Sequence, residues 1–325
     1  MSLVPPFDLH NVFVAPWADD FGGTVWVVIM GFLVTLACGL VGNYLILRRM
    51  ALVGDAISHS VLPGIAIAFL LSNSRGTTAM FAGALAAGVL TTLIIELIHK
   101  KSRVKQDAAI GIAFTSLFAI GVILISVFAS RVDLDQECVL YGEIGFVSFQ
   151  RPIQLGAWTL GPEPVIRMAG VTLMVILLIA VFYKELLVSS FDPGLAFSLG
   201  INATVMHYSL MCVLSTVVVS AFESVGAILV IAMLILPGAT GSMLFQRLPG
   251  ILVFTALYAA LTSVAGFHLA TWLNCSIAGA MVVAGAGLFT LAWLVSPHQG
   301  PFRRARPLPD ANPRSLREDL VKALQ

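Results

Sequence analysis

The sequence predicts an all-α membrane protein, a polytopic bundle of about nine transmembrane helices, with eight as the alternative count. Three observations predict it. The chain is 58% hydrophobic and 11% charged, where an ordinary soluble domain carries roughly 25% charged residues, and its mean hydropathy is +0.96. Apolar stretches long enough to cross about 30 Å of hydrocarbon recur along it. Its basic residues cluster at alternate ends of those stretches, the pattern that orients membrane helices.

Taken in order, the spans are expected near 24–46, 51–71, 77–98, 108–129, 165–187, 206–223, 225–245, 250–272 and 276–296. The sixth and seventh run together around Glu223. Arg48 and Arg49, the run from Lys100 to Lys105, Lys184, Arg247, and Arg303 to Arg306 then share one side, which is the cytoplasm if positive charge stays inside. Residues 1–23 become an extracytoplasmic N-terminal segment, 24–296 the transmembrane domain and 297–325 a cytoplasmic tail. Eight spans would break this alternation unless 1–23 or 137–160 added a re-entrant piece. Residues 130–164 carry Asp133, Asp135, Glu137 and Glu143 and form an external acidic segment, either an ordinary solvated loop or a place where cations gather or a partner binds. Two stripes of small residues, Ala79, Gly83 and Ala87, and Ala280, Ala284 and Gly287, predict close helix packing.

Several classes are excluded. A net charge of +1 offers no nucleic-acid surface. Cys38, Cys138, Cys212 and Cys275 are scattered without a C-x-x-C, so neither a disulfide framework nor a zinc finger is expected. Asp8, Asp19 and Asp20, with no basic run, precede the first long apolar stretch, so a cleavable leader is not expected. No Walker A pattern is present, so ATP is not bound here through a P-loop.

The chemistry-bearing residues are few. Asp55 and His59 are four apart and share one helix face. A carboxylate at the centre of a membrane helix costs roughly 2.5–3.5 kcal/mol on insertion scales, and both groups can ligate a divalent cation. Pro63 lacks the N–H that would bond the His59 carbonyl, so that oxygen is a further donor on the same helix. Ser58 and Ser60 are lesser polar neighbours. The alternative for the pair is a buried hydrogen bond that only locks packing. Glu223 is a second isolated carboxylate, a pathway residue, an outer gate or an interfacial group. Glu96 precedes Lys100 by four residues in the favourable order for a helix ion pair and reads as structural. His207 and His268, at span ends, read as interfacial.

The segment 188–205 carries an independent signal. Asp192 is a good N-cap and Pro193 suits the first helical position. Leu195, Phe197 and Leu199 give a short apolar surface, and Gly200 is the expected C-cap. Such a surface must be covered, by its own bundle or by a partner.

The run from Arg48 through Asp55, His59, Pro63 and Gly64 to Ala66 resembles the membrane permeases of bacterial ATP-binding-cassette importers for manganese, zinc and iron. Phe191-Asp192-Pro193 with Leu199-Gly200-Ile201, Ser224-Val225-Gly226 leading to Leu236-Pro237-Gly238-Ala239-Thr240, and the Asp133 and Tyr141-Gly142-Glu143 segments extend the likeness over most of residues 25–295. The resemblance implies a permease in the bacterial cytoplasmic membrane, with no reaction or resident cofactor of its own. Two permeases, a pair of copies or this chain with a relative, would form a central path. Separate ATPase subunits would bind the ATP, and an extracytoplasmic metal-binding protein would deliver the ion. Asp55 and His59 match the family's polar pair, Glu223 its acidic companion, and 191–201 its coupling segment, with Asp192, Pro193, Leu195, Phe197, Leu199 and Gly200 at the ATPase contact. Many members of the family it resembles carry an acidic residue where this chain has Gly194. Carboxylate with imidazole suits Mn(II), Fe(II) and Zn(II); the acidic segment's likeness favours manganese. Two other classes compete: a secondary transporter using Asp55, His59 and Glu223 as a proton relay, and an intramembrane metal hydrolase, for which no H-E-x-x-H is present.

Overall fold

In hydrocarbon every backbone N–H and C=O must find its partner within the chain, so long apolar segments fold as helices. The computed structural model describes residues 5–72, 77–128, 144–155 and 158–296. Asp133, Asp135, Glu137 and Glu143, the tail 297–325, and the side chains of Pro193 and Glu223 lie outside the described residues.

A π-helical turn (His10–Val14) and a short helix α1 (Ala15–Asp19) lead into α2 (Phe21–Leu47). Asp20 caps α2 by accepting from the Gly23 N–H at 2.9 Å. The chain leaves α2 through Arg49, which has a positive φ of 59°. It then enters α3 (Val53–Ser72), α4 (Thr77–Lys101) and α5 (Gln106–Phe128). A 3₁₀ turn (Ile144–Phe149) and an antiparallel hairpin of β1 (Pro152–Leu155) with β2 (Trp158–Pro162) follow, a small strand addition to a helical fold. After these come α6 (Glu163–Val181), α7 (Tyr183–Phe191), α8 (Pro193–Ser198), α9 (Ala203–Leu244), α10 (Leu248–Leu273) and α11 (Ile277–Val295).

Among the described residues, eight helices are long and apolar enough to cross a membrane, and the shorter apolar helix Leu229–Leu244 is a ninth segment. That segment is the second arm of α9, whose first arm is Ala203–Phe222. Between the arms Gly226 takes φ 75° and ψ 168°, a conformation open essentially to glycine alone. The contacts show that the chain doubles back there. In the first arm Ser215 lies beside Gly88, next to Ile57. In the second arm Leu234 lies against Gly42 and Gly54, and Gly238 against Asn43. Ser215 and Leu234 therefore sit at similar depth, near the start of α3, although a long stretch of chain separates them. The sixth and seventh expected spans are these two arms. The fifth expected span, 165–187, is too long: the helix stops at Val181, and Tyr183, Lys184 and Glu185 open a separate, more polar helix.

The core is built on α2, whose Met30, Val34, Ala37 and Tyr44 are completely buried against α9, α10 and α6. A second group, α3 with α4 and α5, joins it through α9. The first small-residue stripe does what the spacing predicts. A Cβ on Gly83 would sit 2.5 Å from the Gly64 carbonyl oxygen, and one on Gly64 would meet Ala87 at 2.6 Å. The second stripe is displaced. Gly287 faces open space, whereas Gly285 packs on Tyr258 and Met281 on Gly31 and Gly266, because the buried face of α11 is centred on residue 281 and not 284. His268 is not interfacial either. It is buried beneath the N-terminal segment, with Nδ1 2.9 Å from the Val12 carbonyl oxygen and Nε2 accepting from Trp17 Nε1 at 3.4 Å.

Candidate functional site

Asp55 lies in the first turn of α3 and His59 one turn later. His59 Nε2 is 3.3 Å from Asp55 Oδ1, and the two side chains are 31% and 36% exposed. The pair is therefore joined yet open on one side. The His59 ring is held from α5 by Phe114, with centroids 5.5 Å apart, and by Phe118, edge-on at 5.9 Å. The α5 helix comes this close because Gly121 sits on Pro63: a Cβ there would stand 2.8 Å from the proline Cδ. Helix α3 continues through Pro63. Ser58 and Ser60 do not join the pair. Their hydroxyls donate to the Gly54 and Ala56 carbonyls of the preceding turn, at 3.0 and 2.5 Å, the usual back-bonding of buried helical serines.

Glu223 stands elsewhere. Val219 packs with Val61 and Ala84, and Glu223 follows Val219 by one turn on the same arm. At 1.5 Å per residue its backbone lies about 6 Å beyond Val61, with Asp55 about 9 Å to the other side. The backbones of Glu223 and Asp55 thus lie at different depths. Among the described residues no group of three His, Cys, Asp or Glu side chains is placed to hold an ion. Asp55 and His59 supply two donors, fewer than the four or more that a divalent ion takes.

The 191–201 segment has the local structure its sequence predicts. Asp192 Oδ1 accepts from the N–H groups of Gly194 and Leu195 at 2.9 and 3.1 Å, Pro193 opens α8, and Gly200 takes a left-handed φ of 77° after it. Among the described residues of this turn only Ala196 is buried. Phe191, Leu195, Phe197 and Leu199 are exposed, Phe197 by 83%. Its own bundle does not cover this surface.

Beside it lies a polar cluster that sequence order gave little sign of. Arg48, just past α2, donates from Nε to Ser190 Oγ and from one terminal nitrogen to Ser189 Oγ, both at 3.0 Å. Its other terminal nitrogen is 3.3 Å from His207 Nδ1. His207 Nε2 is 3.2 Å from Glu96 Oε2, and Glu96 Oε1 takes the predicted ion pair with Lys100 at 2.6 Å. Burial lowers the Arg48 pKa from its ordinary value. The Glu96–Lys100 pair was legible at helix spacing. The links to Arg48 and His207 join residues far apart in the chain, and only the excess of polar groups at one end of the bundle pointed to them.

Comparison with known proteins agrees with this fold. A family model described as the ABC 3 transport family matches residues 21–296. The chain is 46% identical over 275 residues to the manganese transport system membrane protein MntD of Bacillus subtilis, covering 85% of this chain and 92% of that one. It is 42% identical to the zinc transport system membrane protein TroD of Treponema pallidum, over 86% of this chain and 76% of that one. Among solved structures, PsaBC from Streptococcus pneumoniae in complex with Fab superposes with a TM-score of 0.74 at 33% identity, over 90% of this chain and all of the other. An inward-facing putative metal-chelate type ABC transporter shares the fold at a TM-score of 0.63. The chain, a multi-pass protein of the bacterial cytoplasmic membrane, belongs to the ABC 3 transport family.

Proposed function

We propose that this chain is the permease subunit of an ATP-driven importer of divalent metal ions, with manganese the favoured cargo and zinc or iron the alternatives. The observation that carries the reading is the half-open Asp55–His59 pair on a membrane helix. It is an oxygen and nitrogen donor set suited to Mn(II), Fe(II) and Zn(II), with coordination left vacant. The names of the relatives MntD and TroD support manganese and zinc as cargo.

The vacancy has a use. An ion crossing the membrane must be held long enough to lose water and loosely enough to leave. Two donors from one permease, and two more from a second copy or a related permease across a central path, meet both needs. Phe114 and Phe118 fix the imidazole ring so that a nitrogen faces the path. Glu223, whose backbone lies farther along the bundle, is a separate acidic station for the same ion.

The chain itself carries out no reaction. The exposed face of Phe191, Leu195, Phe197 and Leu199, held by the Asp192 cap and the Gly200 turn, is where a separate ATPase subunit docks on the cytoplasmic side. The opposite face, which carries the short helix α1 and the β1–β2 hairpin, receives an extracytoplasmic metal-binding protein.

The test is uptake of radioactive manganese and zinc into vesicles holding the reconstituted complex, with and without ATP. Asp55→Ala and His59→Ala are each expected to abolish ATP-dependent uptake while the protein remains inserted and assembled. Uptake that needs no ATP would replace the importer with a secondary transporter. ATP-driven uptake that survives both substitutions would remove the pair from the path.

A further inference from the structure

We propose that Arg48 is the positioning residue that ties the ATPase-docking segment to the metal-binding helix; the proposal rests on the assignment of 191–200 as the ATPase contact. The argument is one of placement and of donor accounting. Ser189 and Ser190 lie in the last turn of α7, three and two residues before Asp192, the cap of the docking helix. Arg48 lies at the other end of the link, seven positions before Asp55, at the corner where the left-handed Arg49 turns α2 into α3. A guanidinium bonded to Ser189 and Ser190 thus joins the two segments by their shortest covalent routes.

The donors and acceptors of the cluster have one consistent assignment. Each serine hydroxyl donates its single proton to the Leu186 carbonyl, at 3.3 and 2.6 Å, which leaves lone pairs to accept from Arg48. Arginine only donates, so His207 Nδ1 must accept, and the ring's proton then sits on Nε2 and points to Glu96. The chain of bonds runs in one direction, from Arg48 through His207 to Glu96, with Lys100 closing it. It connects the α2–α3 corner not only to α7 but also to the first arm of α9 and to α4. Arg49, next in sequence, is exposed and has no comparable set of partners among the described residues. The planar fork matters here, because a lysine at 48 brings a point charge and cannot meet three acceptors on two helices at once.

A shift of the docking segment therefore moves α3 at its Asp55 end directly, rather than through soft apolar contacts. The experiment uses the full permease with its ATPase in proteoliposomes and reads manganese transported per ATP hydrolysed. Arg48→Gln is expected to lower that ratio about tenfold, within the usual span of coupling between sites, while ATP hydrolysis and the amount of bound ATPase stay near wild type. Arg48→Lys falls between the two. Ser189→Ala with Ser190→Ala removes the acceptors and leaves the arginine, so it should lower the ratio as well, and it decides the matter if Arg48→Gln does not assemble. The ratio is diagnostic because a merely misfolded permease loses transport and hydrolysis together. Wild-type ratios in both Arg48→Gln and the double serine variant would overturn the link. Phe197→Asp separates the two readings. If it leaves the ATPase bound and transport intact, the docking assignment fails. If it strips the ATPase while Arg48→Gln couples normally, the Arg48 link alone fails.

Discussion

Leu234 is wedged between α2 and α3, and its two sides make a sharp test of how α3, the helix of Asp55 and His59, is seated. Toward α2 it presents backbone. A Cβ on Gly42 would overlap the Leu234 carbonyl oxygen, with the carbonyl carbon at 2.8 Å and the Cα at 3.1 Å. Ordinary carbon contacts lie near about 3.5–4.0 Å, so Gly42→Ala must push α2 and the second arm of α9 about 1 Å apart. Toward α3 it presents only a methyl. A Cβ on Gly54 would overlap Leu234 Cδ1 but stand 3.7 Å from Cγ, a distance that needs no adjustment. Overpacking a core costs about 1–3 kcal/mol. The backbone obstruction belongs at the upper end of that range and the methyl obstruction at the lower. At about 2 °C per kcal/mol for a chain of this size, Gly42→Ala should lower the thermal midpoint by about 6 °C and Gly54→Ala by about 2 °C. The assay is thermal unfolding of the detergent-solubilised protein across both double-mutant cycles with Leu234→Ala. Truncating the side chain should relieve Gly54→Ala and leave Gly42→Ala unrelieved, since the carbonyl stays where it was. Relief of both, or of neither, would refute this account of the α2–α9–α3 contact.

Two further predictions concern the turn and the ring contacts. Gly226→Ala forces a side chain onto a backbone conformation that costs about 1–3 kcal/mol, so a fall in thermal midpoint is expected with the protein still inserted; an unchanged midpoint would mean that the turn is not held at that geometry. Phe118→Ala removes one ring from His59, a contact worth about 0.5–1.5 kcal/mol. The manganese concentration for half-maximal uptake should rise about two- to tenfold with the maximal rate kept, and an unmoved midpoint in an isotope-uptake titration would show that Phe118 does not orient the imidazole.

The bundle was legible because hydrocarbon leaves the backbone so few choices. Any apolar run of sufficient length becomes a helix, and α2 to α5, α10 and α11 fall within a few residues of the expected spans. The reversal inside α9 was harder to read. Its two arms are about equally apolar, and only Gly226 separates them. The end of α6 was misread because Leu186 and Leu187 prolong the hydropathy past the real break at Phe182. Within α3 the pair at helix spacing was visible from sequence, as was the cap-and-turn grammar of Asp192, Pro193 and Gly200. The direction of the Ser58 and Ser60 hydroxyls was not, since a buried serine satisfies itself on its own helix as readily as on a neighbour. Nor was the support from Phe114 and Phe118, which depends on α5 crossing α3 at Gly121 and Pro63.

Arg48 shows why charge alone is a poor guide to role. In the sequence it is one of several basic residues at helix ends, and orienting the chain is reason enough for each of them to be there. Arg49 fits that reason and no more: it is exposed, and its distinctive property is the backbone turn it makes. Arg48 differs in having acceptors on two helices matched to the geometry of its donors. A long-range electrostatic rule acts on the sum of charges and is indifferent to which arginine supplies it. A hydrogen-bonded fork is not indifferent, because moving the guanidinium to the next residue would abandon Ser189, Ser190 and His207 together. The residue that orients the helix and the residue that holds it are therefore neighbours with the same side chain, and only the identity of their partners tells them apart.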